Sequence, residues 1–147
     1  MKSLARGQLL FVYGTLRRES SHPLAQRLAS TSEYMGVAKI PGNLYWTGDE
    51  FPGLIPEEVD ADVVGDLYQL DDPALLDVID VYEGSFYERK RLPVESPVAG
   101  PAAAWMYIYL GAVDPARRIE QGDFMAALRA RETQAASAVA GAEVDRA

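Results

Sequence analysis

Strand-forming segments outnumber helical ones in this chain and do not alternate with them, which disfavours a doubly wound sheet and favours a mixed architecture. The run Leu9-Leu10-Phe11-Val12-Tyr13 is continuously apolar and stops at Gly14-Thr15, so it predicts a buried strand followed by a tight turn. Residues 34–45 are mostly β-compatible, with Pro41-Gly42 expected to break or bulge the strand. Residues 63–70, 87–94 and 102–110 are three further strand candidates. The segment Phe51-Pro52-Gly53-Leu54-Ile55-Pro56 holds too much proline for a central strand and reads as a short edge or ordered loop.

Helical signals are fewer. Residues 23–29 form a short candidate with Leu24 and Leu28 on one face. In residues 72–82, Asp72 suits the N-cap and Pro73 the first helical position; Leu75, Leu76, Ile79 and Tyr82 then recur at helical spacing until Gly84 supplies a stop. In the last strand candidate, Trp105, Tyr107 and Tyr109 alternate with Met106 and Ile108, giving one aromatic and one aliphatic face. The expected class is α+β, with a mixed, curled, barrel-like sheet and a few short helices. A length of 147 residues suits a single core. We place the domain at residues 1–125 and an Ala-rich helix or tail, weak and fraying, at residues 126–147.

Counting removes most familiar chemistries. The chain has no cysteine, so thiolate metal sites and cysteine nucleophiles are excluded. Its only histidine, His22, lies beside Pro23 in a polar stretch and is expected at the surface. The glycines form neither a dinucleotide fingerprint nor a P-loop. Glu57-Glu58-Val59-Asp60 matches no cation-binding loop and reads as solvated acid. The 14 basic and 22 acidic residues give a net charge of −8, which argues against nucleic acid as partner. Residues 40–88 contain no Lys or Arg, and Arg89-Lys90-Arg91 ends that stretch. Without a long apolar run or a signal-peptide core, the expectation is a soluble, cytoplasmic protein with no membrane partner.

Two features survive. Tyr13-Gly14-Thr15-Leu16 is a turn past a buried strand, where Gly14 permits close backbone approach and successive N–H groups can face an anion; a plain strand-to-loop turn is the other reading. Glu83 stands in Tyr82-Glu83-Gly84 at a helix C-terminus, whose partial negative charge disfavours a carboxylate. Burial against Phe86 and Tyr87 would raise its pKa further and make it a proton acceptor near neutral pH. A solvated Glu at a helix end fits the same position. Tyr87 and Arg89 follow closely, and together these groups suit a small zwitterionic or carboxylate-bearing substrate.

Taken in order, Phe11-Val12-Tyr13-Gly14-Thr15-Leu16, Gly65-Asp66-Leu67-Tyr68, Leu76-Asp77 through Tyr82-Glu83-Gly84 with Tyr87 and Arg89, Tyr107-Ile108-Tyr109 and Gly122-Asp123-Phe124 resemble the γ-glutamylcyclotransferase-like superfamily, also called AIG2-like. The resemblance covers roughly residues 9–124. It implies a small mixed α/β fold with a cavity bounded by the Tyr-Gly-Ser/Thr-Leu loop. It also implies cleavage of a γ-glutamyl amide by the substrate's own α-amine, releasing 5-oxoproline and an amine or amino acid. The family's catalytic Glu falls on Glu83, and its substrate-binding loop on Tyr13, Gly14, Thr15 and Leu16, with Thr15 in place of a common Ser. Tyr87 and Tyr107 match aromatic positions near the cavity. No metal or cofactor is implied, and the partner would be a small γ-glutamyl compound. The alternatives are a non-catalytic small-molecule binding or interaction domain of the same fold, and a γ-glutamyl group carried on a biosynthetic intermediate or protein lysine. Residues 38–56, with Trp46, Phe51 and three prolines, are expected to form a rigid apolar rim.

Overall fold

The computed structural model describes residues 8–48, 51–97 and 100–146, with side chains to residue 135. Its elements in chain order are β1 (Gln8–Val12), α1 (Pro23–Thr31), β2 (Ser32–Trp46), β3 (Pro52–Pro56), β4 (Asp62–Leu70), α2 (Leu75–Glu83), β5 (Tyr87–Ser96), β6 (Gly100–Tyr109), a 3-10 turn (Pro115–Arg117) and α3 (Phe124–Arg146).

The sheet closes on itself. β1 pairs antiparallel with β4, β4 with β2, β2 with β5 at Lys39↔Glu95 and β5 with β6; β6 then returns parallel to β1 at Leu10↔Trp105. That ring of five strands is a small barrel, and β3 is a sixth strand paired with both β2 and β6. The α+β expectation therefore holds.

Alternation along the strands divides the apolar residues into two cores. Phe11, Tyr13, Ile40, Leu44, Leu54, Val63, Leu67, Met106 and Ile108 share the inner core with Phe124. Leu10, Val12, Tyr68 and Tyr107 point the other way and pack against Leu28 of α1 and Leu75, Leu76 and Ile79 of α2. β6 splits as its sequence alternation predicts, with Met106 and Ile108 in one core and Tyr107 and Trp105 in the other. Both helices are thus held on the outside of the barrel by β1, whose end leads into the loop before α1.

Three local expectations are corrected. The proline-rich segment is neither an edge nor a loop: β3 lies between two strands and Leu54 is fully buried. Its prolines occupy the first and last strand positions, where a missing N–H interrupts the ladder least. Gly53 admits the close packing, since a Cβ there would lie 2.5 Å from Thr47 Cγ2 and 2.8 Å from Tyr109 Cγ. Similarly, Pro41-Gly42 does not break β2. Pro41 is the last residue paired with β4, and the register shift falls instead between Tyr34 and Val37, around Gly36 at φ 95°. Nor is Asp72 the N-cap: its carboxylate accepts the Ala74 N–H at 3.0 Å within a run of i→i+3 turns, and the α-helix proper is capped at Ala74 with no side-chain bond.

Phe124 at the head of α3 is fully buried, with Met125, Ala127 and Leu128 packed partly against the inner core, and residues 129–135 are exposed. Ala147 of the expected terminal segment lies outside the described residues. Among the described residues no helix is long and apolar enough to cross a membrane.

Candidate active site

A cavity of about 440 Å³ opens where the loop after β1, the segment between β2 and β3, the end of α2 and the facing ends of β5 and β6 meet. Tyr13, Gly14, Thr15, Leu16, Glu83, Tyr87 and Tyr107 all line it. Four parts of the chain distant in sequence therefore bring these seven residues to one place.

The loop after β1 is pinned from behind. The Arg17 N–H donates to the Gly14 carbonyl at 3.1 Å, closing a turn whose central residues are Thr15 and Leu16. Among the described residues the N–H groups of Gly14, Thr15 and Leu16 meet no acceptor, so the cavity wall offers free donors. Below the turn, the buried Arg17 guanidinium bonds Asp66 at 3.2 Å and Asp123 at 2.9 Å, while Asp66 also accepts the Arg18 N–H at 2.8 Å. The two Gly-Asp pairs of the sequence motifs thus converge on one arginine. Gly122 takes φ 66°, and its carbonyl accepts the Val64 N–H at 2.8 Å beside Gly65.

Side chains of the same loop are mostly committed. The Tyr13 hydroxyl donates to the Tyr107 carbonyl at 2.7 Å and accepts the Leu54 N–H at 3.3 Å; burial pushes its pKa well above the ordinary tyrosine value. The Thr15 and Tyr82 hydroxyls lie 2.6 Å apart. Gly14 faces Pro52, and a Cβ on it would sit 2.7 Å from Pro52 Cγ.

Glu83 is the last residue of α2, which ends where Gly84, at φ 81°, donates its N–H to the Asp80 carbonyl. Leu75, Leu76 and Ile79 fix the helix on the outer core and so set where Glu83 emerges. The residue is half-buried, and burial lifts its carboxyl from 4.5 to about 7. Among the described residues no hydrogen bond or ion pair reaches that carboxylate. Its proton affinity is therefore set by desolvation rather than by a partner. Phe86, expected to bury it, lines the cavity but is itself largely exposed.

The aromatic wall is built on a second charge network. The Tyr107 hydroxyl donates to Asp80 Oδ1 at 2.6 Å, and Arg89 grips the same carboxylate at 2.8 and 3.1 Å. Arg89 also stacks over Trp105 at 4.6 Å. Hence Arg89 does not line the cavity; its charge is spent on Asp80, whose carboxyl it holds below the ordinary value. The Tyr87 hydroxyl donates to the Pro52 carbonyl at 2.7 Å, and burial raises its pKa to about 12.

Sequence reasoning missed Tyr109 as a lining residue, whereas Thr47, Gly48 and Pro52 fall in the segment expected to form the rim. The rim expectation is met by Phe51, whereas Trp46 stacks edge-on to Phe124 at 5.3 Å and does not line the cavity. Asp49 and Glu50 of that segment lie outside the described residues. His22 is not simply a surface side chain. Its Nδ1 caps α1 by accepting the Leu24 N–H at 3.1 Å, and its ring meets Tyr82 edge-on at 4.9 Å.

Comparison with known proteins agrees with this architecture. The chain is 27% identical over 116 residues to the γ-glutamylcyclotransferase family protein YtfP of Escherichia coli K12, covering 79% of this chain and 95% of that one. Among solved structures, it resembles YkqA of Bacillus subtilis at 25% identity with a TM-score of 0.63, covering 80% of this chain but only 39% of the length of YkqA. An AIG2-like protein of Mus musculus shares the fold at 23% identity and a TM-score of 0.62, covering 73% of this chain and 80% of that one. The family described as "Gamma-glutamyl cyclotransferase, AIG2-like" matches residues 10–126, and the chain belongs to that family.

Proposed function

We propose that the cavity catalyses γ-glutamyl cyclotransfer, with Glu83 as the group that moves the proton. The substrate's α-ammonium loses a proton to Glu83, and the freed nitrogen attacks the γ-carbonyl carbon to close a five-membered lactam. The bond from that carbon to the amide nitrogen breaks; Glu83 returns the first proton to the departing nitrogen, and the second proton shed by the attacking nitrogen passes to the same departing nitrogen, which leaves as an ammonium. The products are 5-oxoproline and an amine or amino acid, so atoms balance without water, an oxidant or a cofactor. A carboxyl near 7 is poised for both halves of that exchange. Because the nucleophile is tethered to the electrophile, holding the substrate in its cyclising conformation replaces much of the entropic cost of bringing two groups together.

The free N–H groups of Gly14, Thr15 and Leu16 serve the anionic part of the substrate, either its α-carboxylate or the oxyanion that develops on the γ-carbonyl. Tyr87 and Tyr107 form the opposing wall, each immobilised by its own hydroxyl bond. The observation that carries this reading is the sharing of one cavity by an unpaired, desolvated carboxylate and an unpaired run of backbone donors. A panel of γ-glutamyl amines, amino acids and peptides assayed for 5-oxoproline tests it. Release by the wild type that is lost in Glu83→Gln is expected, and full turnover by that variant would remove Glu83 from the mechanism.

A further inference from the structure

The head of α3 reaches the loop after β1 from outside the cavity. Asp123, the residue before Phe124, accepts the Ala126 N–H on Oδ1 at 3.1 Å and so caps the helix. The same oxygen accepts an N–H of the Arg17 guanidinium at 2.9 Å. One carboxylate atom therefore caps α3 and also holds the residue that closes the turn carrying the Gly14, Thr15 and Leu16 donors. Neither Asp123 nor Arg17 lines the cavity. Asp123 stands on a fixed base, because the Gly122 N–H donates to the Ile119 carbonyl at 2.9 Å and a Cβ on Gly122 would collide with the Asp62 carbonyl oxygen. Phe124, next in the chain, is fully buried and stacks edge-on to Trp46, which immediately precedes Thr47 of the cavity wall.

The loop side is equally constrained. Arg17 is 5% exposed, Leu16 beside it is buried, and the Arg17 and Arg18 N–H groups are bonded to the Gly14 carbonyl and to Asp66. Among the described residues the Arg17 guanidinium has two acceptors, Asp66 at Nε and Asp123 at Nη1. Without Asp123, one end of a buried cation loses its acceptor and is drawn toward water. The turn is one peptide away from Arg17 and shifts with it. A misplacement of about 1 Å in groups that position a substrate can cost about a hundredfold in rate.

We infer that Asp123 is a positioning residue: through Arg17 it sets the direction of the Gly14, Thr15 and Leu16 N–H groups, so the docking of α3 governs how the anionic part of the substrate is held. The inference rests on the cyclotransferase reading and adds to it a determinant outside the cavity. Asp123→Ser keeps a capping oxygen but is too short to hold the guanidinium as well, whereas Asp123→Asn keeps an oxygen for both partners. Arg129→Ala breaks the exposed pair with Glu19 at the same interface and leaves Arg17 alone. The Asp123 side chain is 28% exposed and Asp66 remains opposite Arg17, so the Ser variant is expected to fold. Each protein is assayed, at matched folded fraction, for 5-oxoproline from the γ-glutamyl compound that the wild type turns over fastest, and hydrogen exchange is followed at the Arg17 and Arg18 amides. Asp123→Ser is expected to lower kcat/KM by about tenfold or more. The acidic limb of its pH profile should stay at about 7, because Glu83 stands on α2. Its Arg17 and Arg18 amides should exchange about tenfold faster. Asp123→Asn should remain within about threefold of wild type, and Arg129→Ala should be unchanged. Wild-type kcat/KM in Asp123→Ser, an equal loss in Arg129→Ala, or a displaced acidic limb would overturn the inference and leave the reaction standing. No 5-oxoproline from the wild type would remove the reaction, and unchanged exchange in Asp123→Ser would overturn the tether by itself.

Discussion

Replacing Glu83 with Gln removes an ionisation that the fold opposes, so the variant should be more stable than the wild type, and only above acidic pH. The carboxyl ionises at 4.5 when exposed and at about 7 in the folded chain. Its folded pKa is raised, so the unfolded chain releases the proton first, and ionisation favours unfolding progressively from pH 4.5 to about 7. At about 1.4 kcal/mol per tenfold change in proton affinity, the ceiling is about 3 kcal/mol. Solvent reaching the half-buried side chain screens the effect, leaving ~1–2 kcal/mol. For a chain of this size that is a rise in Tm of ~3–6 °C. Thermal unfolding of both proteins at pH 5 and pH 8 reads it directly: the curves should nearly coincide at pH 5, and the variant should gain those degrees at pH 8. Equal Tm values at pH 8, or a less stable variant there, would show that the carboxylate is solvated or paired and would refute the desolvation argument.

Further outcomes follow from the same contacts. Arg17→Ala strips the compensating charge from the buried Asp66 and from Asp123, and should cost about 3–5 kcal/mol in urea denaturation. Gly14→Ala places a Cβ 2.7 Å from Pro52 Cγ. It should therefore narrow the cavity and lower kcat/KM by at least about tenfold, with a stability loss of ~1–3 kcal/mol. Asp80→Asn weakens the grip on Arg89 and Tyr107; because the pair is partly exposed, chemical denaturation at neutral pH should show only ~1 kcal/mol. The Asp80 carboxyl lies below its ordinary 3.8 in the fold, so that contribution is present above pH 3.8 and should fade as the pH falls below it.

Much of the fold was legible because the strands obey a period of two. The alternation of Met106 and Ile108 with Trp105 and Tyr107 reads directly as two cores. Glu83 and the Tyr13–Leu16 turn were likewise legible, each standing at the end of an apolar element that has to project it. What stayed hidden was non-local. β3 reads as a short edge or loop until its pairing with β2 and β6 is seen. Asp80 gave no signal because its partners, Arg89 and Tyr107, lie 9 and 27 residues away. Arg89 was misplaced for the same reason: sequence showed its charge but not the carboxylate that consumes it. The Gly65-Asp66 and Gly122-Asp123 pairs were visible as motifs, and their shared target, Arg17, sits just past the loop they support. Trp46 looked like rim material because an exposed aromatic and one stacked on Phe124 are identical in sequence.

The central claim is that Glu83 carries the proton in γ-glutamyl cyclisation, and single-turnover release of 5-oxoproline by wild type and Glu83→Gln, at matched folded fraction, tests it most directly. The wild type should release 5-oxoproline and amine in equal amounts, with kcat/KM falling as pH drops below about 7. The variant should be slower by about 10²–10⁴-fold, the usual worth of a positioned acid–base group. A folded Glu83→Gln protein that cyclises the same substrate at the wild-type rate would contradict the account.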